Sequence, residues 1–116
     1  MSETGRFDIQ HRGRATIIEV AGDLDISNAG RFEAALELAL GSNHQTVVVS
    51  LAQASYFDSI GLHSLLRFAE RLATTRRRFV VVASRGSTPR RVLEIAGVAT
   101  SYLLFDSVDD ALQSLA

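Results

Sequence analysis

The sequence predicts a single α/β domain whose sheet is mixed but mostly parallel. Strand-like and helix-like segments alternate along most of the chain, two of the inner strand-like segments are apolar without alternation, and the first two strand-like segments are adjacent. Strands that alternate with helices are typical of parallel sheets, whereas consecutive strands pair as an antiparallel hairpin. The predicted order is therefore ββαβαβαβα, with the hairpin at one edge of the sheet.

The five predicted strands are rich in apolar and β-branched residues. The first alternates apolar and polar residues, as an edge strand does, and a turn at Gly13 joins it to the second. The third and fourth each contain an apolar run without alternation, which indicates central strands covered on both faces. The predicted strands are RFDIQHR (6–12), RATIIEVAG (14–22), QTVVVSLA (45–52), RRRFVVVAS (76–84) and SYLLF (101–105).

The four predicted helices place apolar residues three and four positions apart, on one buried stripe. Thr88 and Pro89 begin the third helix, because threonine can cap a helix and proline suits its first turn. Ser107 is expected to cap the fourth. The predicted helices are AGRFEAALELAL (29–40), a segment from about 60 to 74, PRRVLEIAG (89–97) and DSVDDALQSLA (106–116).

Composition excludes several classes of function. With 116 residues and 47% hydrophobic content, the chain reads as one soluble globular domain spanning 1–116. A formal net charge of −1 means that the chain lacks the excess of basic residues that nucleic-acid binding needs. Cysteine and lysine are both absent, which excludes disulfides, thiolate metal sites and lysine chemistry. There is no secretion signal, and no segment approaches the roughly 20 apolar residues of a membrane helix, so we expect a cytoplasmic protein without membrane insertion.

The stretch SYFDSIGLHSLL (55–66) joins the third strand to the second helix. Asp58 or Ser59 is suited to cap that helix, because either side chain can accept hydrogen bonds from free backbone N–H groups. A hydroxyl at this position is also suited to carry phosphate, since free N–H groups and the helix dipole favour an anion there. Judged on the two residues alone, plain capping is the more common situation.

Three segments together resemble STAS domains, the family of anti-sigma factor antagonists. The first, residues 47–66, is similar to the family's strand followed by Asp-Ser-x-Gly-Leu, here DSIGL. The second, residues 20–36, is similar to its Gly-Asp-Leu-Asp turn and following helix, here GDLD. The third, residues 77–115, is similar to its carboxyl-terminal half. The resemblance extends from about residue 6 to 115 and implies a single STAS-type domain.

The resemblance also implies a function and a site. In the family, an anti-sigma factor that is a serine kinase phosphorylates the serine after the aspartate, and Ser59 stands at that position. The unphosphorylated antagonist binds this kinase and frees a sigma factor, phosphorylation breaks the complex, and a serine phosphatase resets it. Asp58 and Gly61 would support the phosphosite and the helix cap. The implied partner-binding residues are Asp23, Asp25, Ser27, Tyr56, Ile60 and His63.

Three residues depart from the family pattern. Ile60 stands where serine, threonine or alanine is usual, His63 where a small residue is common, and Ser50 where aspartate or asparagine is common. Ile60 and His63 could reshape the partner surface or weaken phosphorylation. Of the two aromatic residues before Asp58, we expect one in the core and the other partly exposed.

Three other functions would suit a small α/β domain of this kind less well than the antagonist function. A STAS docking subunit of a lipid-transport ABC ATPase complex is the alternative, although GDLD and the full carboxyl-terminal helix favour the anti-sigma system. A phospho-receiver domain would use a lysine, and direct nucleotide binding a glycine-rich loop, and the chain has neither.

No enzyme, cofactor or metal site is expected. A triad of Asp58, Ser59 and His63 would lack an acid on the far side of the imidazole, and His11, His44 and His63 lack ligand spacing. The run 76–78 of three arginines is expected to be a solvated turn, with contact to an acidic partner surface as the secondary alternative.

Overall fold

The predicted element order is confirmed in a computed structural model that describes residues 5–42, 44–97 and 103–114. Residues 101 and 102 of the last predicted strand and residues 115 and 116 of the last predicted helix lie outside the described residues. The strands are β1 (Arg6–Arg12), β2 (Ala15–Leu24), β3 (Thr46–Phe57), β4 (Arg78–Val82) and β5 (Leu103–Phe105). The helices are α1 (Ala29–Leu40), α2 (Ser59–Ala73), α3 (Thr88–Ile95) and α4 (Val108–Ser114).

The five strands form one sheet in the order β1-β2-β3-β4-β5. β1 pairs with β2 in antiparallel orientation, and every other neighbouring pair is parallel, as predicted. The carboxyl ends of β2, β3, β4 and β5 therefore lie side by side at one end of the strands, which we call the carboxyl edge. Their amino ends lie at the opposite end, which we call the amino edge.

Helices cover the two faces of the sheet unequally. The larger core packs α1, α2 and α3 on one face, and includes Phe32, Leu65 and Leu93. The smaller core packs α4 on the other face through Ala111. Because successive strand residues point to opposite faces, Val47 and Val48 of β3 belong to different cores. Their burial confirms the prediction that β3 is covered on both faces.

Two strands are longer than predicted. β2 continues to Leu24 and β3 to Phe57, where the sequence predicted ends near residues 22 and 52. Residues 52–56 of β3 are largely exposed and lack an apolar pattern, so periodicity gave no sign of a strand there. The extension is held by backbone pairing between the two strands, which matches Asp23 with Tyr56 and Leu24 with Phe57.

Two further local predictions need correction. Ser87, and not Thr88, caps α3, because its Oγ accepts a hydrogen bond from the Arg90 backbone N–H at 3.2 Å. The arginine run is not a solvated turn throughout, since Arg78 begins β4 and Arg77 donates to the Leu40 carbonyl oxygen at 2.7 Å. The predicted cap at Ser107 is confirmed by a 3.0 Å hydrogen bond from the Asp110 N–H to its Oγ.

None of the helices in the described part of the chain is long and apolar enough to cross a lipid bilayer.

Glu19 is a partly buried carboxyl on β2. It pairs in register with Asp8 of β1, and the buried Ser50 hydroxyl of β3 donates to its Oε1 at 3.1 Å. Burial raises the pKa of Glu19 above its ordinary value, the hydrogen bond from Ser50 lowers it, and the charge of Asp8 raises it further, with a net upward shift. The serine that departs from the family pattern is therefore the hydrogen-bond donor to this carboxyl.

We predict that Glu19→Gln stabilises the protein more at pH 7 than at pH 4. A carboxyl whose pKa is raised in the folded state favours folding while protonated, so stability falls as pH rises from about 4.5 through the raised value. The neutral amide removes that loss and can still accept from Ser50. Melting temperatures across this pH range, with the exposed Glu70→Gln as control, test the prediction. A Glu19→Gln effect that is the same at both pH values would contradict it.

Candidate functional site

The candidate site lies where β3 passes into α2, at the carboxyl edge of the sheet. Asp58 has an extended backbone, and its Oδ1 accepts a hydrogen bond from the Ile60 N–H at 3.0 Å. Its carbonyl oxygen accepts from the Leu62 N–H, also at 3.0 Å. Asp58 is thus the N-cap, which satisfies one of the free donors of the first turn. Ser59 is the first helical residue, and it is exposed.

Close packing beneath α2 fixes the position of Ser59. Gly61 is buried, and a Cβ placed there would lie 2.8 Å from both Leu24 Cδ2 and Phe57 Cε1. Leu24 and Phe57 are the paired last residues of β2 and β3, and both are fully buried. The absence of a side chain at Gly61 therefore lets the first turn of α2 rest on the ends of two strands. Ser59 and Ile60 remain on the outer side, with Ile60 37% exposed.

The acidic turn, residues 23–27, begins with the last two residues of β2 and lies beside this helix start. Asp23 and Asp25 are partly buried and Ser27 is exposed. Asp25 Oδ1 accepts from the Ser27 N–H at 2.9 Å. The buried Asn28 holds the turn from inside, because its amide donates to the Asp23 carbonyl oxygen at 2.7 Å and its Oδ1 accepts from the Asp25 N–H at 3.0 Å.

Sequence reasoning missed the role of Asn28. Its position directly before α1 is a signal for a helix cap, since asparagine is favoured there. Its side chain makes no cap hydrogen bond and turns back to the acidic turn.

Tyr56 links the acidic turn to the helix cap. Its hydroxyl donates to Asp58 Oδ2 at 3.0 Å, and its side chain is 45% exposed, while Phe57 is in the core. The hydrogen bond to Asp58 and the charge of that carboxylate raise the pKa of Tyr56 above its usual value, with smaller contributions from desolvation, Asp25 and Asp23. The carboxylates of Asp58, Asp25 and Asp23 are therefore all close enough to act on the Tyr56 hydroxyl.

Apolar side chains surround the acidic groups. A shallow depression of about 400 Å³ beside Ser59 is lined by Leu62, Val92 and Ile95. Ile95 at the end of α3 and Ile26 in the acidic turn are each 80% exposed. Sequence reasoning missed both isoleucines, although an apolar residue inside the polar turn DISN was a usable signal.

The three histidines do not form a catalytic or metal site. His63 is exposed on α2, and no hydrogen bond joins it to Ser59 or Asp58 in the described part of the chain. His11 and His44 stack with ring centroids 4.7 Å apart, and the Nδ1 of each lies within hydrogen-bond distance of Thr16 Oγ1. Within residues 5–42, 44–97 and 103–114, no three His, Cys, Asp or Glu side chains form a group that could hold a metal ion.

The sequence model of the family described as STAS domain matches residues 6–111. The chain belongs to the STAS domain family. This STAS domain is 30% identical over 102 residues to the anti-sigma-F factor antagonist RsfB of Mycobacterium tuberculosis, over 88% of this chain and 81% of RsfB. Its relatives carry the names of regulatory antagonists, in agreement with the prediction that the chain is not an enzyme.

The fold of the STAS domain is similar to two solved structures. An anti-sigma factor antagonist from Mycobacterium paratuberculosis superposes with a TM-score of 0.88 at 24% identity, over 96% of this chain and 93% of the other. The Bacillus cell fate determinant SpoIIAA, in its phosphorylated form, superposes with a TM-score of 0.75 at 18% identity, over 96% of this chain and 100% of the other. These likenesses confirm the predicted STAS fold.

We predict that Gly61→Ala destabilises the STAS domain by about 1–3 kcal/mol, because the added methyl group overpacks against buried side chains. The matched control is Gly30→Ala in α1, where a Cβ would have no neighbour within 4 Å. That variant is expected to stabilise by about 0.5–1 kcal/mol through helix propensity. Urea denaturation measures both, and effects of the same sign would contradict the close approach.

We predict that Asp58→Ala costs about 1 kcal/mol of stability through loss of the helix cap. Asp58→Asn keeps a cap acceptor without the charge, so it should remain within a few tenths of a kcal/mol of the wild type. Denaturation midpoints of the three proteins provide the test. An equal loss in both variants would assign the effect to the carboxylate charge and not to the cap.

Proposed function

We propose that this STAS domain is an anti-sigma factor antagonist that binds an anti-sigma factor with serine kinase activity and so releases a sigma factor. In the proposed cycle, phosphorylation of Ser59 ends the complex and a serine phosphatase restores the binding form. The observation that carries the proposal is the exposed hydroxyl of Ser59 at the start of α2. The cytoplasm is the compartment in which such a cycle acts on transcription.

The hydrogen bonds around Ser59 support its role as the phosphate acceptor. Both carboxylate oxygens of Asp58 are engaged, one by the Ile60 N–H and the other by the Tyr56 hydroxyl. The Ser59 side chain makes no hydrogen bond to any residue that the structure describes. The Ser59 hydroxyl would therefore be accessible to a kinase, because it is exposed and takes no part in the helix cap. Ile60 is the adjacent residue.

The surface around Ser59 supports binding of a partner that combines apolar and basic side chains. Exposed Ile26 and Ile95 and the half-exposed Tyr56 would bury apolar area in a complex. The acidic groups of the surface attract basic residues and steer their approach. We assign to this partner surface the residues Asp23, Asp25, Ser27, Tyr56, Ile60 and His63, together with Ile26 and Ile95.

Phosphorylation is proposed to act by blocking this surface on an almost unchanged fold. A phosphate adds about −1.5 to −2 charges, and its interaction with the α2 dipole is worth about 0.3–2 kcal/mol. Moving a two-state equilibrium from 1:99 to 99:1 takes about 5.5 kcal/mol, more than the dipole supplies. A dianion enclosed in an interface beside Asp58, Asp23 and Asp25 costs several kcal/mol, because it loses its hydration and its repulsion of these carboxylates strengthens once water is excluded. In this proposal, phosphorylation therefore changes binding at the interface and leaves the fold almost unchanged.

We predict that Ser59→Asp weakens capture of an anti-sigma factor kinase by about tenfold or more, because each 1.4 kcal/mol of repulsion is tenfold in affinity. Ser59→Ala should bind like the wild type and accept no phosphate. Gln113→Glu, which adds one negative charge on the exposed side of α4, is the charge control and should also bind normally.

The measurement is affinity capture from lysate of the source cells with the four proteins, followed by mass spectrometry. Incubation of the captured kinase with ATP and wild type should add one phosphoryl group, located at Ser59 by peptide mapping. Equal capture by all four proteins would leave Ser59 outside the interface. Recovery of ABC transporter subunits in place of a kinase would overturn the antagonist function.

A further inference from the structure

A cationic cavity of about 740 Å³ lies at the amino edge of the parallel strands, opposite the edge that carries Ser59. β3 runs between the two sites, and its twelve residues at about 3.3 Å each separate them by roughly 35 Å. The residues that line this arginine cavity are Arg12, Gly13, Arg14, Ala15, Gln45, Thr46, Arg76, Arg78 and Leu112. The cavity shares no residue with the partner surface.

Strand register places Arg12 and Arg78 on either side of two residues with small side chains. Arg12 pairs with Ala15, Ala15 with Thr46, and Thr46 with Arg78, so the four residues form one row across β1, β2, β3 and β4. Paired residues point to the same face of a sheet, and strands lie about 4.8 Å apart, so Arg12 and Arg78 are roughly 14 Å apart at Cα. The small side chains of Ala15 and Thr46 leave the space between them open.

Two loops bring the other two arginines to the same cavity. Arg14 follows Gly13, whose φ of 59° makes the turn between β1 and β2. Arg76, between α2 and β4, has a φ of 60°, and among the described residues other than glycine it alone has positive φ. Glycine is the unstrained choice for this left-handed conformation. An arginine is therefore held at the cavity in a backbone conformation that disfavours it.

The four guanidinium groups have no neutralising partner among the residues that the structure describes. No acidic residue lines the cavity, and none of the four forms an ion pair within the part of the chain that the structure describes. In contrast, carboxylates pair with other arginines of the molecule: Arg67, Arg71, Arg85 and Arg90. Within residues 5–42, 44–97 and 103–114, four positive charges without an ion pair thus line one cavity of a chain whose net charge is −1.

We propose that the arginine cavity is a binding site for a small organic molecule that carries two or more phosphate groups. The planar guanidinium of arginine binds phosphate oxygens in bidentate pairs. A phosphate ester carries about −1.5 to −2 charges, so two of them offset four guanidinium groups, whereas carboxylates would be needed in fours. The volume lies within the roughly 300–1,000 Å³ of small-molecule sites, and Ala15 and Leu112 offer apolar contact to the organic part.

The test is isothermal titration calorimetry of the purified protein with inorganic pyrophosphate as the probe. We expect saturable binding of one pyrophosphate per chain, which weakens as salt is raised because the contact is ionic. Arg12→Gln and Arg78→Gln should each weaken binding by about tenfold, the loss expected for one charged hydrogen-bonding group. Arg91→Gln, which removes an exposed arginine of α3 outside the cavity, is the matched control and should leave affinity unchanged.

Arg76→Gly separates a binding role from a folding role. It relieves the left-handed conformation, so the melting temperature should rise while pyrophosphate affinity falls. Absence of saturable binding, or an equal loss in Arg91→Gln, would overturn the site. Citrate that binds as tightly as pyrophosphate would overturn the assignment to phosphates. Capture of the kinase by Arg12→Gln should be unchanged, which distinguishes failure of this site from failure of the antagonist function.

Discussion

The pairing of β2 with β3 continues past the apolar part of both strands, and the geometry at the carboxyl edge depends on it. The last matched pair, Leu24 and Phe57, supplies the surface on which Gly61 rests. The same pairing brings Asp23 next to Tyr56 and so joins the acidic turn to the helix start. Two segments separated by α1 thereby become one surface. Backbone pairing holds the largely exposed residues 52–56 of β3 against β2, and the buried pair Leu24 and Phe57 anchors the end of both strands in the core.

At the start of α2, Asp58 and not Ser59 provides the hydrogen bonds that begin the helix. Asp58 caps α2 with one oxygen and accepts from Tyr56 with the other. The neighbouring Ser59 is exposed, and its side chain makes no hydrogen bond to a described residue. Since the cap does not use the serine hydroxyl, a charge can be added to it without loss of the hydrogen bonds that start the helix. Such an arrangement suits a residue whose covalent state changes while the fold persists.

The two edges of the sheet differ in charge although the chain is nearly neutral. The carboxyl edge gathers carboxylates and exposed isoleucines, and the amino edge gathers four arginines that form no ion pair with a described residue. Residues from different parallel strands come together there, because the carboxyl ends of the strands lie side by side and so do their amino ends. β3 reaches both edges, so a single strand supports two surfaces of opposite charge.

Sequence patterns were enough to predict the element order, the edge hairpin, the buried stripes of the helices and the place of Asp58 and Ser59. These features are local, because periodicity and capping chemistry act within one or two turns of chain. Only the tertiary structure decided which residues meet. The length of β3, the inward role of Asn28, the exposure of Ile95 and the convergence of distant arginines all depend on strand register and on neighbours far along the chain. Sequence periodicity indicates which face of a helix or strand is buried, but it does not indicate which residues of other elements pack against that face.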